Sequence, residues 1–206
     1  MGEKYKSYTI HQLDADPNWD AVPIAEVNTC PWGGDYLPRI TAQVVLVRGQ
    51  YFLARMECWE KSPRAVQTEQ NSSIYEDSCM EFFVNFKPEQ QGSGYINLEA
   101  NANGALCSAY GTSGAGRKYL SGTGFPMPEV TAKVLEDRWA CEFKIPLGLI
   151  KGLYGNDEFE TGDILQGNFF KCGDKTEKPH YITWAPNKNP DPAFHLPEYF
   201  GILVIG

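Results

Sequence analysis

Short strand-like segments separated by turn-forming residues run through most of the chain, and they limit the folds that it can adopt. Ile40–Val47 and Tyr51–Cys58 are rich in β-branched and aromatic residues, and the Arg-Gly-Gln between them suits a hairpin turn. Residues 101–104 (Asn-Ala-Asn-Gly) and 136–138 (Glu-Asp-Arg) interrupt the pattern in the same way. Strands joined by such short turns pair antiparallel, so the pattern predicts an all-β fold.

We predict an antiparallel β-sandwich of the jelly-roll type with one short helix. The helix is expected at residues 146–153, where a proline stands at a position that a helix start tolerates. No internal repeat or linker divides the sequence, so residues 1–206 are expected to form a single domain. The predicted strands cover residues 40–47, 51–58, 75–86, 94–100, 105–110, 129–135, 139–145, 168–171, 181–184 and 201–205.

The charge of the chain excludes some classes of partner. It has 18 Lys and Arg residues against 26 Asp and Glu residues, which gives a net charge of −8. An acidic protein repels phosphate backbones and anionic lipid surfaces, so we expect neither a nucleic acid nor a membrane as partner. No apolar run approaches the roughly 20 residues that span a bilayer. The N-terminus also lacks an apolar signal core.

The cysteines add to the expectation about the compartment. Six cysteines lie far apart in the sequence, with no Cys-x-x-Cys pair, so we expect buried, reduced thiols. Together with the missing signal core, this favours a soluble cytoplasmic protein, or a secreted one if a signal was removed from its N-terminus.

Two neighbouring predicted strands carry polar side chains on one face. In residues 75–86 (YEDSCMEFFVNF) the apolar side chains share one face, whereas Glu81 lies on the other. In the next strand Asn97, Glu99 and Asn101 also share a face. Alternation alone favours a solvent-facing surface. Carboxylates and amides also match the adjacent hydroxyls of a sugar, so a binding surface is the alternative.

Catalytic and metal-binding alternatives follow from the same residues. Glu81 and Glu99 are candidates for the acid and base of a glycoside hydrolase, which needs two carboxyls roughly 5–10 Å apart. A zinc site would require His11, His180 and His195 to converge through folding, since no two of them have ligand spacing in the sequence. No nucleophile elbow, Walker loop or dinucleotide fingerprint is present in the sequence.

Aromatic residues in predicted loops and strand ends support sugar binding. Pyranose rings stack their C–H faces on aromatic rings while polar side chains hold the hydroxyls. Aromatic loops that border a polar strand face are therefore candidates for such a site. The residues concerned are Trp32, Trp59, Tyr75, Trp184, Phe194 and Tyr199.

Four sequence segments give the chain a family resemblance. They are YEDSCMEFF at 75–83, WACEFKIP at 139–146, the Gly-Asp to Asn-Phe segment at 162–169, and a tail with WAP at 184–186 and FHLPEYFG at 194–201. In order and spacing they resemble the signatures of the family 9 carbohydrate-binding modules and of family 9-like domains. The resemblance extends from about Trp19 to the end of the chain.

The resemblance implies a β-sandwich that binds a sugar, often at a chain end, between two aromatic rings. Tyr75 stands where the family has one stacking ring, and Glu81 where a carboxylate contacts sugar hydroxyls. The second ring would be Phe194 by alignment of the tail, with His195 beside it, or Trp184 by residue type.

The polar strand of the family implies further ligand contacts. Asn97, Glu99 and Asn101 fall on or near that strand and are expected to bind hydroxyls. The implied function is non-catalytic binding of a mono- or oligosaccharide, such as a chain end of a xylan- or cellulose-type glycan, in carbohydrate catabolism. Family members are usually attached to xylanases or other glycoside hydrolases.

Cofactor expectations also come from the resemblance. No cofactor is required, although structural Ca²⁺ occurs in the family. Related sandwich domains bind haem through Met and His, which makes Met80 and His180 the candidates for a haem- or metal-binding alternative. The sequence leaves open the identity of the sugar and the oligomeric state.

Overall fold

The computed structural model describes residues 6–206 as thirteen strands, one α-helix and four 3-10 helices. The strands are β1 (Ser7–Leu13), β2 (Ala25–Glu26), β3 (Ile40–Val47), β4 (Tyr51–Cys58), β5 (Cys79–Asn85), β6 (Tyr95–Asn101), β7 (Leu106–Gly111), β8 (Lys118–Tyr119), β9 (Glu129–Val134), β10 (Trp139–Pro146), β11 (Ile164–Cys172), β12 (Tyr181–Thr183) and β13 (Gly201–Ile205). The α-helix is α1 (Leu147–Tyr154), and the 3-10 helices are Trp19–Ala21, Ile74–Glu76, Leu120–Gly122 and Pro197–Tyr199.

The strands form two sheets that face each other. Sheet A has the order β8-β7-β6-β5-β11-β13-β1, and β12 pairs with the end of β11. Sheet B has the order β1-β3-β4-β10-β9, with β2 paired to β3. Apolar side chains of both sheets fill the space between them: the Phe52 ring of sheet B lies 4.9 Å, centroid to centroid, from Phe86 at the end of β5. The all-β sandwich is therefore confirmed.

Strand β1 corrects the expectation of a purely antiparallel sandwich. Its first half pairs parallel with β13, with Ser7 opposite Ile202, and its second half pairs parallel with β3, with His11 opposite Val45. One strand thus belongs to both sheets and closes one side of the sandwich. Parallel strands cannot be joined by a tight turn, and β1 is separated from both of its partners by a long stretch of chain. The sheets are therefore mixed rather than purely antiparallel.

Most predicted elements agree with the structure, with shifts at their ends. The predicted strand at 75–86 begins only at Cys79, because Ile74–Glu76 forms a 3-10 helix. The helix begins at Leu147, since Pro146 keeps an extended conformation as the last residue of β10. No helix within residues 6–206 has the length and apolar character required to cross a membrane.

A buried polar cluster around Asp77 fixes the approach to β5. The fully buried Asp77 carboxylate accepts hydrogen bonds of 2.8 Å from the backbone N–H groups of Val66 and Gln67 and one of 2.9 Å from Asn101. Arg64 lies 3.3 Å from its other oxygen. The cluster connects the segment before β5 to the end of β6. It therefore also fixes the position of the loop that follows β6.

We expect Asp77→Asn to lower the free energy of unfolding by about 2–4 kcal/mol, because the amide keeps one oxygen for the buried N–H donors but turns its NH2 group towards Arg64 and removes the charge that pairs with it. Chemical denaturation monitored by tryptophan fluorescence measures this change. The matched control is Asp157→Asn, whose pair with the exposed Lys151 spans 3.6 Å and should contribute less than about 1 kcal/mol. Equal effects of the two substitutions would contradict the structural role of Asp77.

Candidate functional site

A cavity of about 490 Å³ lies on the outer face of sheet A, away from the inter-sheet core. Four side chains from four neighbouring strands form its floor: Glu81 of β5, Glu99 of β6, Cys107 of β7 and Cys172 of β11. Loops around the sheet form the walls. They contribute residues 71–73 and Tyr75 before β5, Arg117 and Tyr119 at β8, Asp174 and Tyr181 around β12, and residues 192–195 of the tail.

The register of β5 and β6 brings the two carboxyl groups of the floor together. Glu81 lies directly opposite Glu99 in the antiparallel pairing, on the same face. Both are almost completely buried, with 2% and 5% of their surfaces exposed. The outer face of these strands is therefore not the solvated surface that alternation alone favours, because loops and the tail cover it.

The two carboxyl groups differ in their neighbours. Glu99 accepts a hydrogen bond of 2.9 Å from Asn97 and lies 3.3 Å from the guanidinium of Arg117. Burial raises the pKa of Glu99, and Arg117 opposes that rise. Burial and then the charge of Glu99 raise the pKa of Glu81 well above its usual range. Of the two carboxyl groups, Glu99 is therefore the better stabilised as an anion, and Glu81 holds its proton more strongly.

Two thiols also contact Glu81, one from its own strand β5 and one from the neighbouring β11. The Cys172 Sγ lies 3.0 Å from Glu81 Oε1, and the Cys79 Sγ lies 3.7 Å from the same oxygen. Cys79 and Cys172 occupy directly opposed positions of β5 and β11. Cys172 also donates to the backbone oxygen of Tyr75 at 3.6 Å, which ties the Tyr75 segment to the floor.

Aromatic side chains line the cavity beside the floor. Tyr75 has 45% of its surface exposed at the Cys79 end of β5. Phe194 stacks on Phe170 of β11, with centroids 4.3 Å apart and planes at 14°. Phe170 lies directly opposite Glu81 in the pairing of β5 with β11.

His195 extends the wall that the tail provides. Its ring stacks on Phe83 with centroids 4.7 Å apart, and its Nδ1 lies 3.0 Å from the Tyr95 hydroxyl. Burial and the nearby Arg117 lower the pKa of His195 to about 3. The imidazole is therefore neutral at physiological pH and adds no charge to the cavity.

The structure brings five of the eight expected ligand residues to this cavity. These are Tyr75, Glu81, Glu99, Phe194 and His195. Sequence reasoning missed Arg117 and Tyr119, because a Gly-rich segment around residues 113–128 resembled an ordinary surface loop. It also missed Asp174 and Tyr181, which no motif distinguishes from other polar and aromatic residues.

The other three expected ligand residues lie elsewhere. Asn97 is fully buried behind the floor, where it orients Glu99. Asn101 is also fully buried and belongs to the cluster around Asp77. Trp184 is 2% exposed and packs in the inter-sheet core, 5.5 Å from the ring of Phe169. Neither Trp184 nor Asn101 therefore lines the cavity.

The two candidate haem ligands, Met80 and His180, are both engaged elsewhere in the fold. Met80 is fully buried among the side chains of the inter-sheet core. The His180 Nε2 lies 2.6 Å from the Lys171 amine, and its Nδ1 lies 2.7 Å from the backbone oxygen of Lys178. Both ring nitrogens already have partners, and within residues 6–206 the three histidines form no common group of ligands. The structural Ca²⁺ stays an expectation of the family resemblance.

Comparisons with known proteins show the family and the fold. A family model described as carbohydrate-binding family 9 matches residues 12–205. A solved structure from Bacteroides uniformis, provisionally described as a carbohydrate-binding protein, aligns with a TM-score of 0.82 at 24% identity, covering 98% of this chain and 100% of that one.

Two solved structures of a family 9 carbohydrate-binding module from Caldicellulosiruptor kristjanssonii also align. The complex with glucose has a TM-score of 0.69 at 13% identity and covers 98% of this chain and 96% of the module. The complex with cellotriose has a TM-score of 0.68 at 14% identity and covers 97% and 93%. At these identities the three structures show the shared fold. Among curated protein sequences, none matches this chain.

The neutral His195 predicts a measurable dependence of stability on pH. With a pKa of about 3 in the folded chain and about 6.5 in the unfolded chain, its contribution is complete above pH 6.5 and is lost as the pH falls. Between pH 7 and pH 5 this loss is about 2 kcal/mol. We expect His195→Gln to be less stable at pH 7 but to lose about 2 kcal/mol less than the wild type over that interval.

Urea denaturation at several pH values measures the difference. His11→Gln is the control, since His11 lies partly exposed on β1, which belongs to both sheets. A pH profile of His195→Gln parallel to that of the wild type would contradict a buried neutral imidazole.

Proposed function

The chain belongs to carbohydrate-binding family 9, and we propose that it binds a neutral sugar, without cleaving it, in the cavity above Glu81 and Glu99. The observation that carries this proposal is that a buried carboxyl pair and the aromatic residues Tyr75 and Phe194 line one cavity. The ligand would be a monosaccharide or the chain end of an oligosaccharide.

The polar groups of the floor suit sugar hydroxyls. The carboxyl groups of Glu99 and Glu81 accept hydrogen bonds, Glu81 can also donate one when it holds a proton, and Arg117 donates. A hydroxyl both donates and accepts, so adjacent hydroxyls of a pyranose can bridge these groups. A carboxylate or phosphate on the ligand would meet Glu99 and Asp174 at close range, which favours an uncharged sugar.

The rings provide the apolar part of the site. Tyr75 offers an exposed face for stacking, and Phe194 is held by Phe170 so that it loses little side-chain entropy when a ligand binds. Tyr119, with 54% of its surface exposed, lies at another part of the rim. We assign the first stacking contact to Tyr75 and the opposite wall to Phe194 and His195.

Two of the similar structures support a choice of first ligands. The Caldicellulosiruptor module was solved with glucose and with cellotriose, so gluco-configured ligands are the first candidates here. The cavity of about 490 Å³ lies within the range of small-molecule sites, about 300–1,000 Å³. We extend the proposal to chain ends of cellulose- or xylan-type glycans and to a role beside glycoside hydrolases in polysaccharide catabolism.

Titration calorimetry with glucose, cellotriose and xylotriose tests this function. We expect Tyr75→Ala to weaken binding roughly 5- to 30-fold, which corresponds to about 1–2 kcal/mol of stacking. Tyr51→Ala is the control, because Tyr51 is a partly exposed tyrosine on sheet B. The absence of heat and of any fluorescence change with every neutral sugar tested would overturn the proposal.

The position of the carboxyl pair also bears on the hydrolase alternative. A glycosidase needs one carboxyl group on each side of the scissile bond. Glu81 and Glu99 instead stand side by side on the floor, on the same face of adjacent strands. We therefore expect no release of nitrophenol from a panel of nitrophenyl glycosides. Turnover that disappears in Glu99→Gln would favour the hydrolase instead.

A further inference from the structure

Cys79, Glu81 and Cys172 form a cluster that sugar binding does not explain. All three are at least 98% buried, and their ligand atoms lie within 4.8 Å of one another. Both thiols approach the same oxygen, Glu81 Oε1, at 3.0 and 3.7 Å. Among residues 6–206, this is the one group of three or more Cys, His, Asp or Glu side chains whose potential metal-ligand atoms lie this close together.

The distances match those of a tetrahedral thiolate site. A zinc ion binds sulfur at about 2.3 Å and carboxylate oxygen at about 2.0–2.2 Å, so tetrahedral angles place sulfur and oxygen about 3.5 Å apart and two sulfurs about 3.8 Å apart. The two sulfur–oxygen distances of the cluster bracket the first value. All three ligand atoms lie within 4.8 Å of one another.

We infer that Cys79, Cys172 and Glu81 form a binding site for a thiophilic divalent cation of the Zn²⁺ class at the floor of the cavity. Two sulfur ligands and one oxygen ligand suit Zn²⁺ rather than Ca²⁺ or Mg²⁺, which take oxygen ligands. The site is therefore different in kind from a structural calcium site.

The cavity gives an ion access to the three ligands. Glu81 and Cys172 line the cavity, whereas Cys79 lies beneath them. An ion that enters from the cavity meets the carboxyl and one thiol first and then reaches the deeper thiol. The fourth tetrahedral position opens towards the cavity, where a water molecule or a ligand oxygen can complete the coordination.

The charges and protons of this step balance. Each thiol binds as a thiolate and Glu81 binds as a carboxylate, so three protons leave to the solvent for each divalent ion bound. The ion and its three anionic ligands then carry a net charge of −1, and the guanidinium of Arg117 offsets the charge of the neighbouring Glu99. No oxidant or reductant takes part.

The test uses the full chain, reduced and treated with a chelator, and titrates it with Co²⁺ and then Zn²⁺. We expect one equivalent of Co²⁺ to give a sulfur-to-cobalt charge-transfer absorption, and Zn²⁺ to displace it. Cys172→Ser and Cys79→Ser should each weaken binding by about 100-fold or more. Cys107→Ser is the matched control, because Cys107 lines the same floor but lies beside Glu99 rather than Glu81, and it should bind Co²⁺ as the wild type does.

Each other outcome overturns the inference. These outcomes are the absence of a sulfur-to-cobalt absorption in the reduced wild type, equal binding in the wild type and Cys172→Ser, or loss of binding in Cys107→Ser alone. A protein whose mass shows that no Cys79–Cys172 disulfide is present, and which still binds no Co²⁺, also counts against it. Glu81→Gln, which is nearly isosteric, replaces Cys79→Ser if that variant does not fold. Sugar titrations of the chelator-treated protein test the carbohydrate proposal separately.

Discussion

Strand β5 is buried on both of its faces, and this constraint decides how the rest of sheet A is built. The inner face, with Phe82 stacked on Phe169 at 5.0 Å, is apolar and needs only close packing. The outer face carries Glu81 under a cover of loops and tail. A buried carboxyl group costs several kcal/mol unless it is hydrogen-bonded, neutralised or paired. Each segment that covers β5 therefore has to bring a suitable partner.

The partners come from segments that are distant in the sequence. Arg117, 18 residues beyond Glu99, supplies the positive charge. The tail covers the apolar part of the face, with Phe194 over Phe170. These covering segments also form the walls of the cavity. The contacts that stabilise the buried outer face of β5 thus also create a concave site with a polar floor and aromatic walls. A sugar requires both kinds of surface.

How far the sequence predicts this structure depends on how local each signal is. Ile40–Val47 and Tyr51–Cys58 were predicted to the residue, because a hairpin is specified by its own strands and turn. Strand β1 was not predicted, since its parallel partners β3 and β13 are far away in the sequence. The family resemblance indicated Tyr75 and Glu81 from local motifs, whereas alternation alone favoured a solvent-facing Glu81.

The aromatic residues of the tail show why side-chain type alone is a poor guide to a site. Trp184 is the larger ring, but Asn168 binds both the N–H and the C=O of Ala185, at 2.8 and 3.2 Å, and so fixes this segment against the core. Phe194 lies ten residues later in a Pro-rich segment that returns over the outer face. The local sequence does not determine that Trp184 turns towards the core and Phe194 towards the outer face, because both orientations depend on the position of β11.

Glu81 is common to the proposed sugar site and the proposed cation site, and this has a thermodynamic consequence. A protonated Glu81 can donate to a sugar hydroxyl, whereas a Glu81 that binds a cation is ionised and can only accept. If the sugar uses the proton, cation and sugar weaken each other; if a sugar oxygen fills the fourth coordination position, they strengthen each other. The coupling must be equal in both directions, since it is one free energy shared by two ligands. The two proposed sites are therefore coupled through the protonation state and coordination of Glu81 alone, without any movement of the backbone.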